Sequence, residues 1–332
     1  MLTTEDELEL AKYRSRLARA DRRVQQRVRD LQEILPGGDP PEALIAFVHI
    51  PKTAGHTVTS MFRAAYTRKS LHKSGNYLKS VEGTERKVTM ATGGWENWHR
   101  RGGRVTVGHV PLSLFRRQLP AGTRYITFLR EPIDRVLSHY YRHIRQQDPS
   151  RAGVIKPGAG AKVKADSIEQ ALLELRMPQL NNLATRFLCG HEPIGELPDS
   201  ALDDAKENLR GFAFVGMQGR FEESLVLLQR MLGLGAVPYV DRHVSDEGAR
   251  PAVDEIPDEQ RALIEDCNRL DAELYRFGLT LFEKSVQEAG DGFEAAVEEL
   301  RARDRAAREG DWRQTVDENE NEPRFRGGID AH

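Results

Sequence analysis

Two cysteines, Cys189 and Cys267, are all that the 332-residue chain carries. They lie far apart and without metal-ligand spacing, which argues against a disulfide framework and against a cysteine-built zinc site. Aromatic residues are scarce at 7%, beside 30% charged residues. That balance reads as long solvated helices at the two ends around an ordinary core. No window approaches the ~20 apolar residues of a membrane span. The opening MLTTEDELEL is acidic and lacks the basic and apolar regions of a signal peptide. A net charge of −2 gives no overall pull towards nucleic acid or anionic membranes, so any anion site must be local. The expectation is a soluble protein of the reducing cytoplasm.

What is present centres on residues 44–61, LIAFVHIPKTAGHTVTSM. Residues 44–50 are a nearly continuous apolar run of β-formers, as in a strand buried on both faces. Pro51 ends it, because proline lacks the N–H that a central ladder needs. Lys52, Thr53, Ala54, Gly55, His56 and Thr57 then form a tight loop in which Gly55 is the residue suited to positive φ. Helical spacing resumes with Val58, Met61, Phe62 and Ala65 on one face. Strand, small-residue loop with a lysine, then helix is an arrangement that holds phosphate. Loop N–H groups and the helix N-terminus face the anion, and the lysine adds a full charge. The G-x-x-x-x-G-K-[ST] spacing of a nucleotide P-loop is absent.

The rest of the chain alternates strands and helices. Residues 4–35 read as one long polar helix, with Leu10, Leu17, Val24 and Leu31 at heptad spacing. That seam offers either a self-association surface or a stripe lying along the protein itself. A Pro/Gly linker follows, and residues 67–103 look like a long excursion holding Trp95 and Trp98. Further strands are expected at 104–110, 125–129 and 213–216, and helices at 167–175, 179–188, 201–209 and 222–232. Residues 258–281 have the pattern of one amphipathic helix. Residues 148–164 read as a surface loop, and a polar tail ends the chain. The expected fold class is α/β: a single domain, residues 42–285, with a mostly parallel central sheet flanked by helices. The N-terminal helix occupies residues 1–36, and a charged helix and tail residues 286–332.

Two segments in fixed order, PKTAGHT after the first strand and LREPIDRVLSHYYR after a later one, carry a resemblance. Together with Gly108-His109-Val110 and the segment from Ala201 to Gly233, they resemble carbohydrate sulfotransferases of the heparan sulfate 2-O-sulfotransferase type. The resemblance spans roughly residues 43–282. It implies a P-loop-like sulfotransferase fold and 3′-phosphoadenylyl sulfate (PAPS) as co-substrate, with no obligatory metal. It also implies that Lys52, Thr53, Gly55, His56 and Thr57 line the 5′-phosphosulfate. Arg130 and Ser138 would grip the 3′-phosphate, and His109 would be the catalytic base with Lys52 assisting. A second histidine found in some relatives two residues before the base is here Val107. A loop over the nucleotide would draw on Arg242, Ser245 or Arg250.

The chemistry suits these residue types. Sulfuryl transfer needs the acceptor hydroxyl to lose its proton as it attacks sulfur in line with the departing phosphate oxygen. Imidazole, with an ordinary pKa near ~6.5, can take that proton near neutrality. Lys52 and the loop N–H groups would stabilise charge on the leaving phosphate. Residue patterns alone leave His109 open as a core histidine, Arg130–Asp134 as a surface ion pair, and His99 and His139 as structural or solvated. The implied acceptor is a carbohydrate or small glycosylated molecule. Two other readings stand beside this one: an ATP-dependent phosphoryl-transfer enzyme, and an inactive nucleotide-binding scaffold. The first would need a magnesium-binding Ser/Thr-plus-Asp set, which is not found.

Overall fold

A computed structural model describes residues 43–66, 71–76, 99, 102–144, 165, 167–191, 195–234 and 250–309. The N-terminal helix, Trp95, Trp98, residues 148–164, Arg242, Ser245 and the polar tail lie outside these residues. The described chain runs β1 (Ile45–Val48), α1 (Gly55–Ala65), β2 (Leu71–Asn76), β3 (Val105–His109), α2 (Leu112–Gln118), β4 (Arg124–Leu129) and α3 (Pro132–His139). It continues through short turns of helix at Gln170–Glu174 and Pro178–Leu180 to α4 (Leu183–Leu188), α5 (Ala201–Arg210), β5 (Phe214–Met217) and α6 (Phe221–Met231). The last elements are α7 (Asp258–Cys267), α8 (Arg269–Glu288) and α9 (Phe293–Glu309).

The five strands form one sheet in the order β2-β3-β1-β4-β5, and every pairing is parallel. β1 is central because its four residues are fully buried, so neither face can meet water. It pairs β3 from Ile45↔Val105 to Val48↔Gly108, and β4 from Ile45↔Arg124 to Phe47↔Ile126. The buried Thr127 hydroxyl donates to the Val48 carbonyl at 2.9 Å, locking β4 to the end of β1. Parallel pairing brings the carboxyl ends of β3, β1 and β4 to one edge, side by side. The loops that leave that edge begin at residues 49, 110 and 130.

Two expectations are corrected. β2 falls inside the segment read as an excursion, where LHKSGN gives no apolar alternation. An edge strand pairs on one side only, so its sequence need not be apolar. The single helix expected at 258–281 is two, because Asn268 (φ −123°, ψ 27°) ends α7 and starts α8. Its side chain, almost fully buried, donates to the carbonyls of Leu180 and Ile264 at 2.8 and 3.0 Å, and it accepts from the Asn182 N–H at 3.0 Å. Side-chain bonds to backbone thus replace one turn of helix.

Around this break sits a buried polar hub. The Asp271 carboxylate accepts from the N–H groups of Ala184 (3.0 Å) and Thr185 (2.8 Å) and from the Thr185 hydroxyl (2.9 Å). It therefore caps α4 from α8. Asp271 also lies 4.0 Å from Nε of Arg135, a wholly buried arginine on α3 whose Nη1 donates to the Gln179 carbonyl at 2.8 Å. A second apolar cluster, including Ile133, Val136, Leu137, Tyr140, Ile168, Leu172 and Ile264, fills the space between α3 and α7. The charged helix α9 buries Phe293, Val297 and Leu300 in the main core. Asp271→Ala should remove two backbone partners and leave Arg135 buried without its counter-charge. The expected loss is about 3–5 kcal/mol of unfolding free energy by urea titration. A loss below about 1 kcal/mol would show that water replaces the carboxylate.

Candidate active site at the carboxyl edge of the sheet

The loop after β1 is built under strain. Lys52 (φ 73°) and Ala54 (φ 65°) adopt left-handed conformations, on either side of Thr53. Each such non-glycine residue costs about 1–3 kcal/mol, a price that surrounding structure must impose. The buried Thr53 hydroxyl donates to the Ile50 carbonyl at 2.8 Å and so folds the loop back on its strand. Gly55 is not among the residues with positive φ, contrary to the sequence-based expectation. Its reason is space: a Cβ there would lie 1.7 Å from Nε2 of His49. Ala54 stands at the N-cap of α1, no side chain caps the helix, and its first turn holds no acidic residue. The positive end of an eleven-residue helix is thereby left to an incoming anion. Thr57 is buried and His56 exposed in that first turn.

The loop after β4 meets this one directly. Glu131 caps α3 by accepting from the N–H groups of Ile133 (3.1 Å) and Asp134 (2.7 Å), and Pro132 occupies the first helical position. Arg130 donates through Nη1 to the Lys52 carbonyl at 3.0 Å and through Nε to Asp134 at 2.6 Å. Arg250, from the segment before α7, donates to the other oxygen of Asp134 at 2.5 Å. One carboxylate thus holds two guanidinium groups together. Burial raises the Asp134 carboxyl, but the hydrogen bonds and charges of Arg130 and Arg250 outweigh it and leave the pKa below the ordinary value. Nη1 of Arg250 is buried and has no hydrogen-bond partner among the described residues. Ser138 lies buried two turns along α3 from Arg130.

Lys52 feels this crowd. Burial first, then the charges of Arg130, Arg142 and Arg250, push its pKa from 10.5 down to about 8. Four cations and a single carboxylate make a site that favours an anion of more than one charge. Of the three loop residues left open by the sequence, Arg250 is described and reaches this site, while Arg242 and Ser245 lie outside the described residues.

His109 ends β3 on the other side of β1. Its Nδ1 donates to the His49 carbonyl at 2.8 Å, and its ring lies 4.1 Å from that of His49. His49 was passed over in the sequence because it reads as part of an apolar strand. Its signal is an ionisable side chain at the end of a strand buried on both faces. Elsewhere, Nδ1 of His99 donates to the Gly103 carbonyl at 2.8 Å within its own turn, and His139 is buried. Among the described residues no group of three His, Cys, Asp or Glu side chains could hold a metal ion. No described helix is long and apolar enough to cross a membrane.

Residues 40–278 match the family model described as the sulfotransferase family. The chain belongs to that family. A heparin sulfate O-sulfotransferase of Drosophila melanogaster is 32% identical over 139 residues, which span 41% of this chain and 40% of that protein. A heparan sulfate 2-O-sulfotransferase of Caenorhabditis elegans is 26% identical, over 76% of this chain and 82% of that protein. A heparan-sulfate 6-O-sulfotransferase of Cricetulus griseus is 25% identical, over 78% and 72%. As a member of the sulfotransferase family the chain is a transferase enzyme, and sulfuryl transfer to carbohydrate is its supported activity. The family implies PAPS as the donor.

For a sulfotransferase of this build, the depressed lysine has a consequence that can be measured. A bound phosphate favours the protonated form of Lys52, so binding above pH 8 should take up a proton. Affinity for 3′,5′-ADP should then fall as pH rises from about 8, by up to about tenfold per unit. Lys52→Arg should flatten that dependence, since guanidinium keeps its proton. Isothermal calorimetry at pH 7.5–9.5, in buffers of different ionisation enthalpy, reads both quantities. A constant affinity without proton uptake would remove Lys52 from contact with phosphate.

Proposed function

We propose that this sulfotransferase moves the sulfuryl group of PAPS to a hydroxyl of a carbohydrate or small glycosylated acceptor, using the edge between β3 and β4. The observation that carries the reading is the bond from Arg130 to the Lys52 carbonyl, which joins the two phosphate-binding motifs into one cationic wall. Two features fit a donor with phosphates at both ends. The α1 N-terminus lies open beside Lys52, and Arg250 keeps an unpartnered buried N–H group next to Arg130.

In this reading Lys52, Thr53, Gly55, His56 and Thr57 hold the 5′-phosphosulfate, and Arg130, Ser138 and Arg250 hold the 3′-phosphate. His109 takes the proton. Its Nδ1 donates to a carbonyl, which can only accept, so the neutral ring carries its lone pair on Nε2. Nε2 removes the acceptor's proton as the hydroxyl oxygen bonds to sulfur. The bond from sulfur to the bridging oxygen breaks, and its electron pair stays on the departing 5′-phosphate. Lys52 and the α1 N–H groups stabilise the charge arriving there. The relatives act on heparan sulfate by name, which makes an O-desulfated heparan sulfate a reasonable probe acceptor.

Arg130→Ala should weaken 3′,5′-ADP binding by about 1.5–3 kcal/mol, the worth of a charge-assisted phosphate contact. Binding of 5′-AMP should barely change. Equal losses for both ligands by calorimetry would put Arg130 at the 5′ end of the nucleotide.

His109→Ala should leave 3′,5′-ADP affinity within a few-fold and lower turnover of PAPS with the probe acceptor by about 10²–10⁴-fold. The acidic limb of the pH–rate profile should disappear with it. Full turnover in this variant would take His109 out of the mechanism.

A further inference from the structure

We propose that His49 is a positioning residue for proton transfer at His109: its carbonyl selects the protonated ring nitrogen, and its ring fixes the plane of the His109 imidazole. The inference rests on the reading of His109 as the base and concerns how that base is prepared.

The geometry begins in the sheet. The N–H of His49 donates to the Gly108 carbonyl at 3.1 Å, extending the β1–β3 ladder by one bond beyond Val48. The carbonyl of the same residue then accepts from a side chain, Nδ1 of His109, at 2.8 Å. The imidazole is thus attached to the frame of two strands, and its orientation follows theirs. A freely rotating histidine would exchange its two neutral tautomers. Donation to this carbonyl requires hydrogen on Nδ1 and leaves Nε2 as the basic atom.

The ring of His49 supplies the second constraint. It lies 4.1 Å from the His109 ring, with the two planes tilted by 37°. It also stacks on Phe47, at 5.1 Å and 16°. Phe47 is wholly buried and is itself wedged by Phe62 and Phe128, at 6.3 and 6.0 Å. Gly55 closes the remaining direction, since even a methyl group there would overlap the His49 ring. His49 therefore cannot turn aside without moving the core or the first turn of α1. The face of His109 that it covers is covered rigidly.

Charge completes the argument. Two imidazoles this close do not both accept protons readily. Burial, aided by the neighbouring His109 and His56, holds His49 well below its ordinary pKa. His109 from the end of β3 and His56 from the first turn of α1 are the titratable groups shown to bear on it, among the described residues. With His49 kept neutral, the proton that leaves the acceptor is directed to His109. A neutral ring beside the new imidazolium adds no repulsion.

Long-range ¹H–¹⁵N NMR on the ¹⁵N-labelled full chain reads the tautomer without any acceptor, with His109 assigned through His109→Gln. Wild-type His109 should carry hydrogen on Nδ1 and titrate in one step, while His49 stays neutral throughout. His49→Ala keeps the accepting backbone carbonyl, so His109 should retain hydrogen on Nδ1 but lose the ring that holds its plane. The variant's kcat with PAPS and O-desulfated heparan sulfate should fall by about tenfold or more, with KM for PAPS nearly unchanged. His49→Phe restores a flat neutral ring and should recover most of kcat. Hydrogen on Nε2 in the wild-type protein would overturn the proposal, and that spectrum decides alone if neither variant folds. An unchanged kcat in His49→Ala, or a Phe variant no better than Ala, would overturn it too. If instead His109→Ala kept full turnover while the wild-type tautomer was as stated, the base reading would fail and the hydrogen-bond geometry would stand.

Discussion

Parallel pairing of β1 with both β3 and β4 is the constraint on which the site depends. Antiparallel neighbours would send the loops that carry His109 and Arg130 to the far edge of the sheet. With three parallel strands in register, the chain leaves the sheet at Val48, His109 and Leu129 on the same side. Ligands of open α/β sheets collect at that edge for this reason. The wholly buried β1 holds the arrangement in place, because shifting its register would break ladders on both sides at once.

Electrostatics then divides this edge into two halves of different character. Around Lys52, Arg130 and Arg250 a single carboxylate, Asp134, holds like charges closer than they would choose. Burial first, and their repulsion after it, lower the pKa of Lys52. A polyanion relieves that repulsion, so the site gains more from two phosphates than the sum of separate contacts suggests. Around His49 and His109 the neighbours are imidazoles and aromatic rings, and the problem is to keep a base neutral until it is needed. In the proposed reading, phosphate recognition and proton transfer thus lie on opposite sides of the same loop.

The strand ends that carry Lys52, His109 and Arg130 were legible in the sequence as short apolar runs, whereas the roles expected of these residues came from the family resemblance. What remained hidden depended on partners far along the chain. His49 looked like one more residue of a buried strand until His109, 60 positions later, was seen to donate to it. Nothing in the sequence pointed to the meeting of Arg250 with Asp134, 116 positions earlier. The break at Asn268 was invisible because the apolar period of Leu263, Ile264, Cys267, Leu270 and Leu274 runs straight across it. The residues that draw Asn268 out of the helix, Leu180 and Asn182, lie 88 and 86 positions away. Gly55 was expected to take a positive φ, whereas what it supplies is room for the His49 ring, a partner the sequence did not show.

The loop between β1 and α1 shows where stability has been given up for binding. An Asp, Asn or Ser in place of Ala54 would satisfy N–H groups at the start of α1, and such a cap is worth about 0.5–2 kcal/mol. It would also fill the anion site with the protein's own oxygen, and an aspartate would add the wrong charge. Alanine offers no side-chain acceptor, only its own carbonyl, which takes the Thr57 and Val58 N–H groups at 3.1 and 3.3 Å, and it adopts a strained left-handed conformation as well. The burial of Ile50, Thr53, Thr57, Val58, Met61 and Phe62 beneath the loop supplies the free energy that keeps it there. A loop held in this way is already shaped when the donor arrives, so little ordering remains to be done on binding. The same rigidity fixes Gly55 against His49, and through it the imidazole of His109.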